Sequence, residues 1–247
     1  MKAVMLAAGL GVRLGAAGDR PKCLLEFGGQ TLLERHIAIL RRAGVTELVL
    51  GVGFEAERID AVLERIAGDM TVRTVFNPDF RQGSMVTLWT MRHDLDADVL
   101  LMDADVLYDD RIMRRLCTSR HRNVFLLDRE FEPGDEPVKL CLRAGTFVDF
   151  RKKVDVEFDL CGESVGFFRF DAGMAVRLAA ATERYVRAGA LAQPYEEAIR
   201  DLLLESPGEF GYEDITGLPW IEIDFPEDVV RARDEILPRL QQPIAVP

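Results

Sequence analysis

The chain reads as an α/β protein with a Rossmann-like, mostly parallel twisted sheet, helices on both faces and a small β-hairpin insertion. Three observations predict this. Short apolar runs alternate with amphipathic stretches of about a dozen residues through the first half. A glycine-rich turn follows the first apolar run. Past Asn123 the rhythm breaks into short β-rich runs separated by Glu132-Pro-Gly-Asp135 and Arg143-Ala-Gly145.

Each element has a local reason. Ala3 to Leu6 is an apolar strand. Thr31-Leu-Leu-Glu34 is a capping box opening a helix with a buried Leu33, Ile37 and Leu40 stripe, a wet face of Arg35, Arg41 and Arg42, and a stop at Gly44. Within that helix His36 lies beside the apolar stripe and reads as structural. Glu47 to Val52 is a strand, Glu55 to Ala67 a helix ended by Gly68, and Thr71 to Phe76 a strand stopped by Asn77-Pro78. Gly83 to Leu95 reads as a helix, and Ala97 to Met102 as a strand ending in Asp103-Ala104-Asp105. Val124 to Leu127, Val138 to Leu142 and Phe147 to Arg151 read as hairpins added to the sheet edge. Ser164 to Phe170 returns as a core strand. Asp171 to Ala188 and Tyr195 to Glu205 are helices, Trp220 to Asp224 a last strand and Glu227 to Leu240 a last helix. With no repeat and no linker, residues 1–240 read as one domain with an insertion at about 128–163, and 241–247 as a loose tail.

The net charge is −11, which repels nucleic acid and anionic membrane alike and leaves neither as a partner. Any anionic substrate must therefore be held by a local cluster of cations. Four scattered cysteines (Cys23, Cys117, Cys141, Cys161) form no C-x-x-C, so a reducing cytoplasm is a simpler reading than zinc or a disulfide frame. The opening apolar run is too short for a signal peptide, and no stretch reaches the length of a membrane span.

The chemistry concentrates in residues 6 to 25. Gly9, Gly11 and Gly15 let the backbone turn and bare its N–H groups, while Arg13, Arg20 and Lys22 add cations. Such a loop, hung on a strand end, suits a polyphosphate. It is neither a dinucleotide fingerprint, since Gly15 falls one residue late, nor a P-loop, since no glycine precedes a lysine. Asp103 and Asp105 end another strand, so both motifs should face one crevice beyond the carboxyl ends of the sheet. Carboxylates beside a triphosphate suit Mg²⁺. Asp224 ends a further apolar strand and either completes that site or caps the helix after Pro226; Glu222 lies two residues earlier on the same strand face. Asp128, Glu130, Glu132, Asp135 and Glu136 make an acid-rich segment that is either a solvated loop or a lid for a cationic head, with Phe131, Trp89 and Tyr195 as aromatic partners. Trp89 alternatively packs in a core with Met85 and Leu88.

Leu6, Ala7, Ala8, Gly9, Gly11, Arg13, Pro21, Lys22 and Leu24 match the nucleotidyltransferase signature L-A-A-G-x-G-x-R-(several)-P-K-x-L. Along nearly its whole length the chain resembles the small nucleotidyltransferases that make cytidine diphosphate conjugates, with the phosphocholine cytidylyltransferases and their phosphonate and inositol-phosphate relatives nearest. Asp103-Ala-Asp105, Glu222-Ile-Asp224 and Glu227-Asp228 carry that resemblance, as do Glu136 with Lys139, Lys152 or Lys153, and Gly162-Glu163-Ser-Val-Gly166. The resemblance implies Mg²⁺ shared by Asp105 and Asp224, CTP as donor, and a small phosphorylated or phosphonate acceptor such as phosphocholine or an aminoalkylphosphonate. It implies Lys22 and Arg13 as the catalytic cations. Nucleotide contacts fall to Leu6, Ala7, Ala8, Gly9, Gly11, Arg13, Lys22, Asn77, Ser84 and Asp103, and acceptor contacts to Glu130, Glu136, Lys139, Lys152, Glu163, Trp89, Tyr195 and Glu222. One departure stands out: after Asn77-Pro78 many relatives have an asparagine pair where this chain has Gly83-Ser84-Met85-Val86.

The alternatives are a sugar-1-phosphate or inositol-phosphate nucleotidyltransferase, a glycosyltransferase using a sugar nucleotide, and a non-catalytic nucleotide sensor. A glycosyltransferase has no use for the Arg13 and Lys22 loop, and a sensor need not keep both metal acids. A homodimer stays open.

Overall fold

The structure, a computed structural model, describes residues 1–66, 68–132 and 134–240. The tail expected from Gln241 and the helix end expected at Ala67 lie outside these described residues.

β1 (Lys2–Ala7) is apolar on both faces and sits inside a seven-stranded sheet. β2 (Glu26–Phe27) and β3 (Gln30–Thr31) pair as a separate short hairpin. Beside β1 lie β4 (Glu47–Val52) and β6 (Val99–Asp103), both parallel to it, and β5 (Thr71–Phe76) follows β4. On the other flank come β12 (Phe167–Phe170), β8 (Asn123–Leu127) and β13 (Phe210–Asp214), giving the order β13-β8-β12-β6-β1-β4-β5. β12 is antiparallel to both of its neighbours, while the other pairings are parallel.

Strand alternation divides the core in two. On one face Ala3, Met5, Leu48, Leu50, Leu100 and Met102 pack under α1 (Leu32–Arg42), α2 (Ala56–Ile66) and α4 (Asp110–Thr118). On the other, Val4, Val49, Leu101, Phe125 and Phe168 pack under α3 (Ser84–Thr90), α5 (Ala172–Arg187) and α6 (Glu196–Glu205). α1 opens with the capping box that its sequence predicts: Thr31 N–H donates to Glu34 Oε2 at 2.6 Å and Glu34 N–H to Thr31 Oγ1 at 3.1 Å.

Several elements differ from the sequence expectation. The insertion is not an extension of the sheet edge. β9 (Lys139–Arg143), β10 (Thr146–Arg151) and β11 (Leu160–Glu163) form their own antiparallel sheet, because Leu140, Leu142, Phe147 and Phe150 bury one side in the α5–α6 core. Ser164 to Phe170 is split, since Gly166 at φ +76° turns the chain between β11 and β12. β13 was not expected, because Phe210-Gly-Tyr-Glu-Asp214 mixes glycine and acids without alternation. The last strand, β14 (Trp220–Glu222), stands outside the main sheet and pairs with β7 (Val106–Tyr108). The expected helices at 83–95 and 227–240 are shorter. α3 gives way to a 3₁₀ turn at Arg92–Asp94, and α7 (Pro226–Arg231) to a π turn and a 3₁₀ turn before Leu240. Leu14, Leu25, Phe27, Leu107, Ile221 and Ile223 form a smaller core that fastens the glycine loop to β7 and β14.

Phe168 is fully buried where the two sheets meet and packs edge-on to Phe125 and Phe150. Phe168→Ala is expected to lower unfolding stability by about 3–5 kcal/mol in urea titration; a loss under 1 kcal/mol would show that this junction is not part of the cooperative core.

Candidate active site

Three strand ends meet beyond the carboxyl edge of the sheet. β1 runs into the glycine loop, where Gly11 takes φ +61° and leads into a 3₁₀ segment over Val12–Gly18. β6 ends at Asp103, and the next two residues are fixed through their backbone. Asp103 N–H donates to Gly166 O at 3.1 Å, Ala104 N–H to Leu6 O at 3.2 Å, and Ile223 N–H to Asp105 O at 3.0 Å. Buried His36 adds a side-chain tie to this backbone, Nε2 donating to Ala104 O at 3.2 Å. Burial pushes its pKa down to about 4, so the ring is neutral. A Cβ on Gly166 would fall 2.2 Å from Asp103 Oδ2, and its φ is left-handed, so this position excludes larger residues. After β14, Asp224 and Phe225 both donate their N–H to Asp228 Oδ2, which holds Asp224 at the entry of α7.

Lys22 joins these pieces. Its Nζ donates to Asp105 Oδ2 at 2.8 Å and to Asp224 Oδ1 at 2.6 Å. Arg13 donates to Asp224 Oδ2 at 2.7 Å and to Glu136 Oε2 at 3.1 Å, with its guanidinium over the Phe225 ring. Lys152 meets Glu136 at 3.0 Å. Burial alone would lower the Lys22 pKa, but the Asp105 and Asp224 carboxylates more than offset it and raise it. Conversely, burial would raise Asp224, and Lys22 with Arg13 pulls it below the usual carboxylate range. At Glu222 the pull of Lys22 is outweighed. Water still reaches its side chain, yet the crowded cleft wall disfavours its charge, and Asp105 and Asp224 push its pKa up further. Asp103 is raised too, by burial first and by Asp105 and Glu196 next, although it accepts the Tyr195 hydroxyl at 2.8 Å.

Carboxylate oxygens of Asp105, Glu222 and Asp224 lie within 4.8 Å of one another. Hard oxygen donors gathered around one cationic centre, now filled by the Lys22 ammonium, fit a divalent ion such as Mg²⁺.

The cleft comprises a cavity of about 210 Å³ against the glycine loop, lined by Leu6, Ala7, Gly9, Gly11, Arg13, Lys22 and Asp105. A neighbouring cavity of about 410 Å³ takes in Ala8, Ser84, Asp103, Lys152 and Tyr195. Across Glu136, Glu222 and Asp224 lies a third, acidic space of about 560 Å³, lined by Glu130, Glu132, Asp135 and Glu163 with Phe131, Trp220 and Phe225.

Three expected contacts are placed elsewhere. Trp89 is on the far side of α3, its indole N–H donating to Glu183 and Arg92 stacked 4.3 Å over its ring. Its helical position next to Leu88 rotates it away from the cleft. Asn77 is buried, donating to Thr87 Oγ1 at 3.0 Å and accepting Asp79 N–H at 2.9 Å, so it braces the turn after β5. Lys139 donates its ammonium to the carbonyls of Gly134, Pro137 and Lys152, tying the acid loop to the small sheet. Sequence reading also passed over Arg81 and Glu196, both in the 410 Å³ cavity. Glu196 follows Tyr195 at the start of α6, where an acid looks like an ordinary helix-dipole partner.

Residues 3–154 match the MobA-like NTP transferase domain. A CMP-5′-(3-aminopropyl)phosphonate synthase from Streptomyces rubellomurinus is 29% identical over 98% of this chain and 40% of its own length. A bifunctional IPC transferase and DIPP synthase from Rubrobacter xylanophilus is 29% identical over 95% of this chain and 52% of its own. This chain therefore spans about half or less of the length of these two curated relatives. A choline-phosphate cytidylyltransferase from Streptococcus pneumoniae is 30% identical over 52% of this chain and 55% of its own. Among solved structures, the CTP:phosphocholine cytidylyltransferase of Streptococcus pneumoniae superposes with a TM-score of 0.75 at 21% identity, covering 94% of this chain and 97% of that one. The inositol-1-phosphate CTP transferase of T. maritima gives 0.71 at 18%, covering 92% and 90%. These likenesses show the fold. No helix among the described residues is long and apolar enough to cross a membrane.

Burial, then the nearby Asp128 carboxylate, pushes the Glu163 carboxyl up to about 7 from its ordinary 4.5. The folded state then holds this proton more tightly than the unfolded chain. Its contribution is full below about pH 4.5 and is lost as pH rises toward 7. Glu163→Gln stays neutral throughout. Its stability relative to wild type is expected to rise between pH 4 and pH 8, by on the order of 1–3 kcal/mol. A flat difference across that range would contradict the shifted carboxyl.

Proposed function

This chain belongs to the MobA-like NTP transferase domain family, and we propose that it transfers CMP from CTP to a small phosphorylated or phosphonate acceptor with a cationic head, using Mg²⁺ and releasing pyrophosphate. The observation that carries the reading is the Lys22 ammonium shared by Asp105 and Asp224 at the mouth of the glycine loop, with Arg13 on the same Asp224. Cations and hard anionic ligands are gathered where a triphosphate would meet exposed backbone N–H groups.

In this reading the glycine loop holds the triphosphate while Lys22 and Arg13 neutralise its charge. An acceptor oxygen attacks the α-phosphorus and pyrophosphate leaves in line. The attacking oxygen is already anionic, so no residue need act as general base; the work is positioning and charge neutralisation. Asp105, Glu222 and Asp224 would hold Mg²⁺, which when bound supplies Lewis acidity toward phosphate oxygens. The relatives' printed names support CTP and a phospho- or phosphono-acceptor. For the cationic head, the support is the acidic cavity beside the cleft, with Phe131, Trp220 and Phe225 among its carboxylates. Aromatic faces and carboxylates favour an ammonium by roughly 2 kcal/mol or more when it is desolvated.

The deciding experiment is a pyrophosphate-release screen of four nucleoside triphosphates against phosphocholine, aminoalkylphosphonates, inositol phosphate and sugar 1-phosphates. CTP with a cationic acceptor is expected to lead; neutral sugar phosphates turning over equally well would sink the acceptor reading. Lys22→Ala is expected to cost about 10²–10³ in kcat, and near-wild-type turnover at saturating substrate would remove Lys22 from the catalytic role. Asp105→Asn and Asp224→Asn are each expected to weaken Mg²⁺ binding, with the double variant losing much less than the sum because both serve one ion. Additive losses would point to two separate ions.

A further inference from the structure

We infer that Cys141 and Cys161 form an oxidative modification site, a thiol pair that closes to a cross-strand disulfide on reaction with a low-molecular-weight disulfide such as oxidised glutathione. The two thiols are free and sit opposite each other on β9 and β11, their sulfurs 2.7 Å apart. Nothing in the sequence spacing brings them together; the ladder does.

The pairing places the two residues directly opposite each other, within reach of a disulfide. Antiparallel strands alternate hydrogen-bonded and non-hydrogen-bonded residue pairs, and the latter bring their Cα atoms to about 4.5 Å. Glu163 uses its own N–H and C=O on Asp128 across its other edge, at 2.8 and 2.9 Å, and Ser164 N–H reaches Val138 O at 2.9 Å. Glu163 opposite Lys139 is therefore a non-hydrogen-bonded pair, and so, two residues along each strand, is Cys161 opposite Cys141. That spacing falls within the range of about 4.4–6.8 Å found for disulfides.

Access sets the order of events. Cys141 is fully buried, while Cys161 is half-buried. The hydrogen bond from Cys141 holds the Cys161 thiol below its usual pKa, and the Lys139 ammonium acts in the same direction. The Cys161 thiolate attacks one sulfur of the reagent, forming a mixed disulfide and expelling one thiolate. The Cys141 sulfur then attacks the Cys161 sulfur and expels the second. Its proton goes to a released thiolate, and the two electrons leave with the two reagent thiols. Net, two protein thiols and one reagent disulfide become one protein disulfide and two reagent thiols. The new bond closes the loop 142–160 and ties β9 to β11 beside Lys139 and Glu163.

The test treats the full chain with oxidised glutathione at neutral pH. Thiols titratable in denaturant are expected to fall from four to two, with the mass of two hydrogens lost, no retained adduct, and reversal by dithiothreitol. Closing a loop of this size is expected to raise Tm by about 5–10 °C. Cys141→Ser is expected to trap one glutathione on Cys161, and Cys161→Ser to gain neither adduct nor Tm at the pair. Four thiols remaining, a bond involving Cys23 or Cys117, or a stable glutathione adduct on the wild-type chain would each overturn the assignment.

Discussion

The arrangement of the site depends on one ammonium between two carboxylates. Asp105 follows β6 and Asp224 follows β14, and the chain separates them by the whole small sheet, α5, α6 and β13. Left alone, two carboxylates with Glu222 beside them would repel one another in a partly dry cleft. Lys22, delivered from a short 3₁₀ turn just after Pro21, removes that repulsion by bonding both. The glycine loop, the end of the central sheet and the detached β7–β14 ribbon thereby share one geometry. Backbone bonds from Leu6, Gly166 and Ile223 to the Asp103–Asp105 segment then fix it from three sides.

Much of this was legible in the sequence, for physical reasons. Nearly every element in the first half carries its own signal: the Thr31–Glu34 cap, the glycine stops, the apolar strands. The site residues from Leu6 to Lys22, with Asp105, Glu222 and Asp224, stand at strand ends, and in a parallel sheet the strand ends converge. What escaped depends on side-chain direction or on pairing across distance. A helix of seven residues can present Ser84 to the cleft and turn Trp89 away, and residue type alone does not say which. Asn77 and Lys139 belong to polar classes that also serve ligands, but here their donors are taken up by Thr87 and by three backbone carbonyls. β13 lacks alternation because Gly211 packs against the His121 ring and leaves no room for a side chain. The cysteine pair was invisible because register, not spacing, sets it.

Glu136, Glu222 and Asp224 line both the 410 Å³ cavity and the acidic 560 Å³ space. Arg13 touches two of these three acids, so a change in charge on the glycine-loop side is felt directly at the wall of the acidic one. The small sheet joins the same circuit, since Lys152 meets Glu136 while its carbonyl accepts from Lys139. In the proposed reading, substrates on the two sides of this wall would share these carboxylates.

The tie from His36 to Ala104 carries a consequence for how the protein meets changes in acidity. The imidazole is enclosed by Tyr108 and Phe167, and its Nδ1 has no partner among the described residues. Taking up a second proton would put a bare cation in an apolar pocket, so the ring stays neutral until the medium is near pH 4. The floor of the cleft is thus insulated from the titration that makes histidine a sensor elsewhere. Between weakly acidic and alkaline conditions this anchor keeps one tautomer and one hydrogen bond, and leaves any response to pH to the carboxylates above it.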